Sequence, residues 1–70
     1  MDLSNIRIKL AACRVNTGMN QAEFAEELGI DRSTVANWEA GKTEPSATQL
    51  RRISELSGIP IDFIFVPIKS

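Results

Sequence analysis

Apolar residues recur along this chain at helical spacing and fall into four blocks: Ile6, Leu10 and Cys13; Phe24, Ala25 and Leu28; Val35 and Trp38; Leu50, Ile53 and Leu56. Residues three or four apart share one face of a helix, so each block predicts an amphipathic helix that buries a single stripe. The polar residues in front of the blocks are of the kind that start helices. Ser4, Asn20, Asp31 and Ser46 can each accept a hydrogen bond from a first-turn amide that the helix itself leaves unpaired. Leu3 with Ile8, Met19 with Phe24 and Ile30 with Val35 flank the first three caps at the spacing of a hydrophobic staple. At the fourth, Pro45 precedes the cap, Leu50 lies inside the helix, and Ser46 with Gln49 spells a capping box. Glu23, early in the second helix, suits its positive end. Gly18, Gly29, Gly41 and Gly58 follow the blocks, where a left-handed residue commonly ends a helix. A last short helix over 61–65 would close the bundle with Ile61, Ile64 or Phe65. No segment shows sustained strand alternation. The expected fold is therefore all-α, a compact five-helix bundle forming a single domain over 1–70, with its core at about 4–65 and an apolar tail at 66–70.

The connection between the second and third helices is the most informative feature. Only Gly29 and Ile30 separate Leu28 from the Asp31 cap, so the two helices must cross steeply. A steep crossing through a short, Gly-containing turn defines a helix-turn-helix, whose second helix enters a DNA major groove. Ala25 stands where the helices approach most closely. By spacing alone, a plain helical bundle with a short corner fits as well.

Composition narrows the function classes. Cys13 is the only cysteine and there is no His, so neither an internal disulfide nor a Cys/His zinc site is available. A lone thiol suits a reducing cytosol. On the apolar stripe beside Leu10, Cys13 reads as a core residue. Residues 1–5 lack the basic start and apolar run of a signal peptide. The apolar region 59–68 is interrupted by Pro60, Asp62 and Pro67 and is too short to cross a membrane. Without His or Tyr, and with no convincing carboxylate pair, no catalytic residue is expected. Charge complicates a DNA-binding reading. Eight Lys and Arg against nine Asp and Glu give a net −1, where a basic domain is the norm. The distribution softens this: Glu23, Glu26, Glu27, Glu44 and Glu55 can lie away from DNA, while Arg32, Lys42, Arg51 and Arg52 fall where phosphates or bases would be met.

The residues themselves carry a family resemblance. Asn20-Gln21-Ala22-Glu23-Phe24-Ala25, Leu28-Gly29-Ile30, Ser33-Thr34-Val35, Trp38-Glu39, Gly41-Lys42 and Pro45-Ser46 together closely resemble the Cro/C1-type (XRE) helix-turn-helix. Leu50, Ile53, 56–59 and 62–65 continue the pattern, so the resemblance covers about residues 6–65. It implies a lambda-repressor-like DNA-binding fold and a cytoplasmic regulator of bacterial or phage type, in the cytosol or on the nucleoid. Cys13 and Phe24 stand where the family usually has Leu, and Trp38 where Leu, Ile or Tyr is commoner. Ala40 replaces a more usual polar or basic residue, which would remove a phosphate contact.

Within that frame, base contacts fall to the outward residues of helix 3: Arg32, Ser33, Ala36 and Asn37. Val35 and Trp38 must point inward. Arg32 can bond guanine O6 and N7 together, Asn37 can pair with adenine N6 and N7, and the Ala36 methyl can pack on thymine. A phosphate contact remains open for Arg32, Ser33 and Asn37. Phosphate contacts are expected from Asn20, Gln21, Thr34, Lys42, Thr43 and Ser46, with pure capping the other reading for Ser46. The resemblance also implies a structural ion pair between Arg14 and Glu39.

One such motif reads few base pairs. A homodimer on an inverted repeat is therefore expected, with half-sites about 34 Å apart. Phe63, Phe65, Val66 and Ile68 are the dimer-interface candidates, in a last helix or an added strand, unless they fold back over the core. The partner is double-stranded operator DNA. No cofactor, metal, small-molecule ligand or membrane is expected, and repression is the favoured outcome. The competing reading is a protein-interaction module on the same fold that has lost DNA binding.

Overall fold

A computed structural model of the protein describes residues 7–66. Four α-helices form the body: α1 (Leu10–Asn16), α2 (Gln21–Leu28), α3 (Arg32–Glu39) and α4 (Ala47–Ser57). A short strand β1 (Ile8–Lys9) precedes them, and a 3-10 turn (Ile61–Phe63) leads into β2 (Ile64–Phe65) at the other end. The strands pair in parallel, with Ile8 opposite Ile64 and Lys9 opposite Phe65. Parallel strands need a long crossover connection; here the four helices supply it.

Two expectations about the ends are corrected. The five-helix bundle has four α-helices among its described residues, with a strand pair where helical ends were expected. The first helix begins at Leu10, and Lys9, with φ −64° and ψ 150°, already has extended backbone at its N-cap. Ile8, expected inside that helix, belongs instead to β1. Its supposed cap Ser4, with Leu3 and Ile6, lies outside the described residues. The last helix is a single 3-10 turn, because Ile64 takes φ −83° and ψ 124° and leaves helical space. Residues 64–66 are β-branched or aromatic and run into Pro67. The residue before a proline is pushed away from α geometry, and pairing with β1 satisfies the extended backbone instead.

The interior of the helical body follows from the apolar pattern. Leu10, Cys13, Phe24, Ala25, Val35, Trp38, Ile53 and Ile64 form one buried cluster, and Leu28, Leu50, Leu56, Ile59 and Val66 pack against it. Ile64 closes the bottom of the bundle, whereas Ile61 and Phe65 stay exposed. Two of the polar caps close as complete boxes. Asn20 Oδ1 accepts from the Glu23 amide at 2.8 Å while Glu23 Oε1 accepts from the Asn20 amide at 2.9 Å. Ser46 and Gln49 do the same at the start of α4. Asp31 sits at the N-cap of α3, but its side chain makes no capping hydrogen bond.

Candidate nucleic-acid interface

The turn between α2 and α3 sets the geometry of the exposed face. Gly29 takes φ 71°, a left-handed conformation that costs glycine nothing, and the Ile30 amide reaches back to the Ala25 carbonyl at 3.0 Å. The chain is thereby turned within two residues. Val35 and Trp38, both buried, then fix the rotation of α3 about its axis. Arg32 and Ser33 are left fully outward, while Thr34, Ala36 and Asn37 are half-buried at its flank.

A similar stop ends α3. Gly41 has φ 77°, and the Lys42 amide donates to the Asn37 carbonyl at 2.9 Å. This folds the chain away from the helix and delivers Lys42 and Thr43, both exposed, to its C-terminal side. Pro45 is buried and anchors the loop, and Ser46 stands exposed at the start of α4. At the start of α2, Asn20 is exposed and Gln21 half-buried. Arg14, Asn20, Gln21, Ala22 and Arg32 line one shallow depression, so the first turns of α2 and α3 lie side by side. Arg51 and Arg52 are exposed on α4, and Arg52 is partly committed within the molecule, donating to the Glu27 carbonyl at 3.1 Å.

Beneath this face lies a polar network. Arg14 Nε donates to Glu39 Oε2 at 2.7 Å, Arg14 Nη2 to Glu39 Oε1 at 3.2 Å, and Arg14 Nη1 to the Met19 carbonyl at 3.0 Å. The paired geometry is the strong, two-point form of an Arg–carboxylate contact. The side chains are only 17% and 11% exposed. Burial, the largest single influence on the Glu39 carboxyl, pushes its pKa up; the hydrogen bonds from Arg14 and Gln21 and the Arg14 charge together outweigh it and hold the group below its ordinary value. The Arg14 guanidinium is correspondingly held above its own, chiefly by the hydrogen bond to Glu39. The Gln21 contribution, Nε2 to Glu39 Oε1 at 3.1 Å, is absent from the sequence reading, because 18 positions separate the partners and no local pattern connects them.

The dimer candidates divide. Phe65 is 40% exposed, Phe63 is half-buried, Val66 packs on the core, and Ile68 lies outside the described residues. Cys13 is fully buried, and burial pushes its thiol pKa up. Among the described residues no three His, Cys, Asp or Glu side chains come together as a metal-binding group, and no helix is long and apolar enough to cross a membrane.

The family model described as helix-turn-helix matches residues 10–64, from the first residue of α1 to the first of β2. The chain belongs to the Cro/C1-type helix-turn-helix family. Among curated relatives, the SPbeta prophage-derived uncharacterized HTH-type transcriptional regulator YonR of Bacillus subtilis is 36% identical over 56 residues, covering 80% of this chain and 52% of its own length. The HTH-type transcriptional activator BcrR of Enterococcus faecalis is 33% identical, covering 77% of this chain and 26% of that protein. An uncharacterized HTH-type transcriptional regulator of Methanocaldococcus jannaschii, MJ0272, is 33% identical over 83% of this chain and 88% of its own. The chain thus spans about half of YonR and about a quarter of BcrR, but nearly all of MJ0272. No solved structure matches it significantly.

Proposed function

We propose that this helix-turn-helix chain is a sequence-specific regulator that places α3 in the major groove of an inverted-repeat operator, binds as a homodimer, and represses transcription by occupying the site. The observation that carries the reading is the set of polar residues at the starts of α2, α3 and α4 and in the loop after α3: Asn20 and Gln21 beside Arg32, with Ser33, Lys42, Thr43 and Ser46. Apart from Gln21 its residues are solvent-exposed, and the burial of Val35 and Trp38 gives it a fixed orientation. In this reading Arg32, Ser33, Ala36 and Asn37 meet base edges. Asn20, Gln21, Thr34, Lys42, Thr43 and Ser46 hold phosphates on both sides of the groove, and the backbone contacts set the register in which the bases are read. Repression needs nothing beyond occupancy, whereas activation needs a further surface for the transcription machinery.

Support for the dimer comes from the strand end of the molecule. Phe65 lines an open cleft of about 280 Å³ together with apolar Leu10, Ala11, Trp38 and Ala40 and the charged Lys9 and Glu39. A second copy would cover both the cleft and the exposed ring.

The test is a titration of duplex DNA at several salt concentrations, paired with equilibrium sedimentation with and without DNA. Affinity that falls steeply with salt, with two chains per duplex, supports the reading, because each phosphate neutralised releases a counterion. Salt-independent capture of a protein partner, with no DNA affinity, would favour the interaction-module alternative. A monomer on DNA at high concentration would remove the dimer.

A further inference from the structure

Glu39 links three parts of the fold through one carboxylate. Its Oε1 accepts from both Arg14 Nη2 and Gln21 Nε2, and its Oε2 accepts from Arg14 Nε. Arg14 also holds the Met19 carbonyl, immediately ahead of the Asn20 cap. The last residue of α3 is therefore tied to the first residue of α2, with the end of α1 behind both. An ion pair between α1 and α3 would by itself need none of this reach to Gln21.

Hydrogen-bond chemistry gives the link a direction. A carboxylate accepts only, while a carboxamide has a donating and an accepting end. Gln21 must turn its NH2 toward Glu39, since the reverse would set its carbonyl oxygen against an anion. One N–H is then consumed, and the second diverges from it in the same amide plane, with the carbonyl oxygen fixed alongside. A hydrogen bond to an ionised acceptor is stronger than one between neutral groups, so the orientation is held before any ligand arrives. Arg14 adds a further effect. It balances the Glu39 charge, which would otherwise lie close to an approaching phosphate.

We propose that Glu39 is a positioning residue for DNA binding: with Arg14 behind it, it holds the Gln21 carboxamide in the single orientation that aims the remaining N–H at a backbone phosphate. The inference rests on the reading of Gln21 as a phosphate contact and extends it to Glu39 and Arg14, whose part in it requires no DNA contact of their own. Preorganisation of this kind raises affinity by removing the cost of ordering a side chain on binding.

The experiment is a cycle of operator affinities. Four proteins are compared at fixed salt: wild type, Gln21→Met, the double variant Arg14→Met/Glu39→Met, and the triple. The methionine pair replaces the ions by apolar chains of similar length, so neither charge is left buried alone. Each affinity is referred to the folded fraction, read from the fluorescence of the single Trp38. Gln21→Met should weaken binding about fivefold, the effect of one hydrogen bond. The double variant should weaken it similarly, and Gln21→Met should cost nothing further in that background. An equal loss from Gln21→Met in both backgrounds would overturn the positioning role while leaving Gln21 a DNA contact. No loss in wild type would instead remove Gln21 from the interface, and the proposal with it. A measurement without variants guards against misfolding of the double variant: nitrogen relaxation of the Gln21 side-chain amide in the free protein. Restricted motion supports the proposal, and free rotation overturns it.

Discussion

At the C-terminal end of α3, Glu39 gathers Arg14 and Gln21 into a hydrogen-bonded network in which every contact is directional. At the opposite extreme of connectivity, β1 and β2 meet through two residue pairs, with Ile64 buried and Phe65 exposed on the same short strand. The first region fixes angles between helices; the second mainly closes a hydrophobic core. The difference lies in how each fails. A buried ion pair that loses one partner leaves the other charge desolvated and unpaired, whereas an exposed ring can be replaced at smaller cost to a monomer. The polar network thus adds a directional tie between α2 and α3 to the one made by the Gly29 turn and the core, while the strand end keeps its exposed apolar ring available for another role.

That contrast can be broken first at Glu39. Glu39→Ala should destabilise the fold by about 2–3 kcal/mol, somewhat below the value for a fully buried pair because water reaches both side chains. In a domain of this size that corresponds to roughly 10–20 °C in Tm, read by thermal unfolding. An unchanged melting curve would show that the network contributes nothing to stability. Arg14→Met/Glu39→Met should recover much of the loss, since the damage comes from the orphaned charge.

Acid provides the next comparison. Because the folded-state pKa of Glu39 lies below its ordinary value, its contribution to stability is complete above the ordinary glutamate range, about pH 4.3, and is lost as pH falls through the depressed folded value. Wild type should therefore lose stability more steeply than the methionine double variant between about pH 4.3 and that lower value. Parallel pH profiles would contradict the assignment.

Smaller effects belong to the strand end and to the loop after α3. Phe65→Ser should cost about 1–2 kcal/mol of monomer stability, because the ring is 40% exposed and only its buried part is lost, and it should also weaken self-association in sedimentation. Stability lost without a change in association would place Phe65 in the core rather than at an interface. Lys42→Ala should leave unfolding unaltered. It should lower DNA affinity about equally on all sequences and reduce the salt slope by about 1; a sequence-dependent loss would make Lys42 a base contact instead.

How far the sequence discloses all this depends on range. The boxes at Asn20 and Ser46 are legible because each closes within three residues. The α2–α3 turn is legible because Gly29 and the caps around it are contiguous, and the core stripe because helical periodicity repeats within each block. The β1–β2 pair is hidden by the same logic. Two-residue strands show no alternation, and residues 8 and 64 are far apart in the chain and meet only in the folded arrangement. Ile8 therefore looks like the fourth position of a helix, although its partner is Ile64. Asp31 shows a subtler limit: its position as N-cap is readable, but whether its carboxylate turns inward to an amide is not. For the candidate interface, periodicity separates inward Val35 and Trp38 from exposed Arg32 and Ser33, but not the half-buried positions of Ala36 and Asn37, which it reads as outward. Pairing Arg14 with Glu39 follows only from family resemblance, since 25 positions separate them, and the Gln21 link requires the folded arrangement.

The central claim is that α3 reads DNA through its exposed N-terminal edge, and it is tested most directly by selecting binding sites from a random duplex library with wild type and Arg32→Ala in parallel. The account predicts an enriched inverted repeat for wild type and, for the variant, relaxed preference at one position in each half-site, a loss of about 1–3 kcal/mol of discrimination there. Identical preferences for the two proteins, or no enrichment by folded wild type, would contradict it.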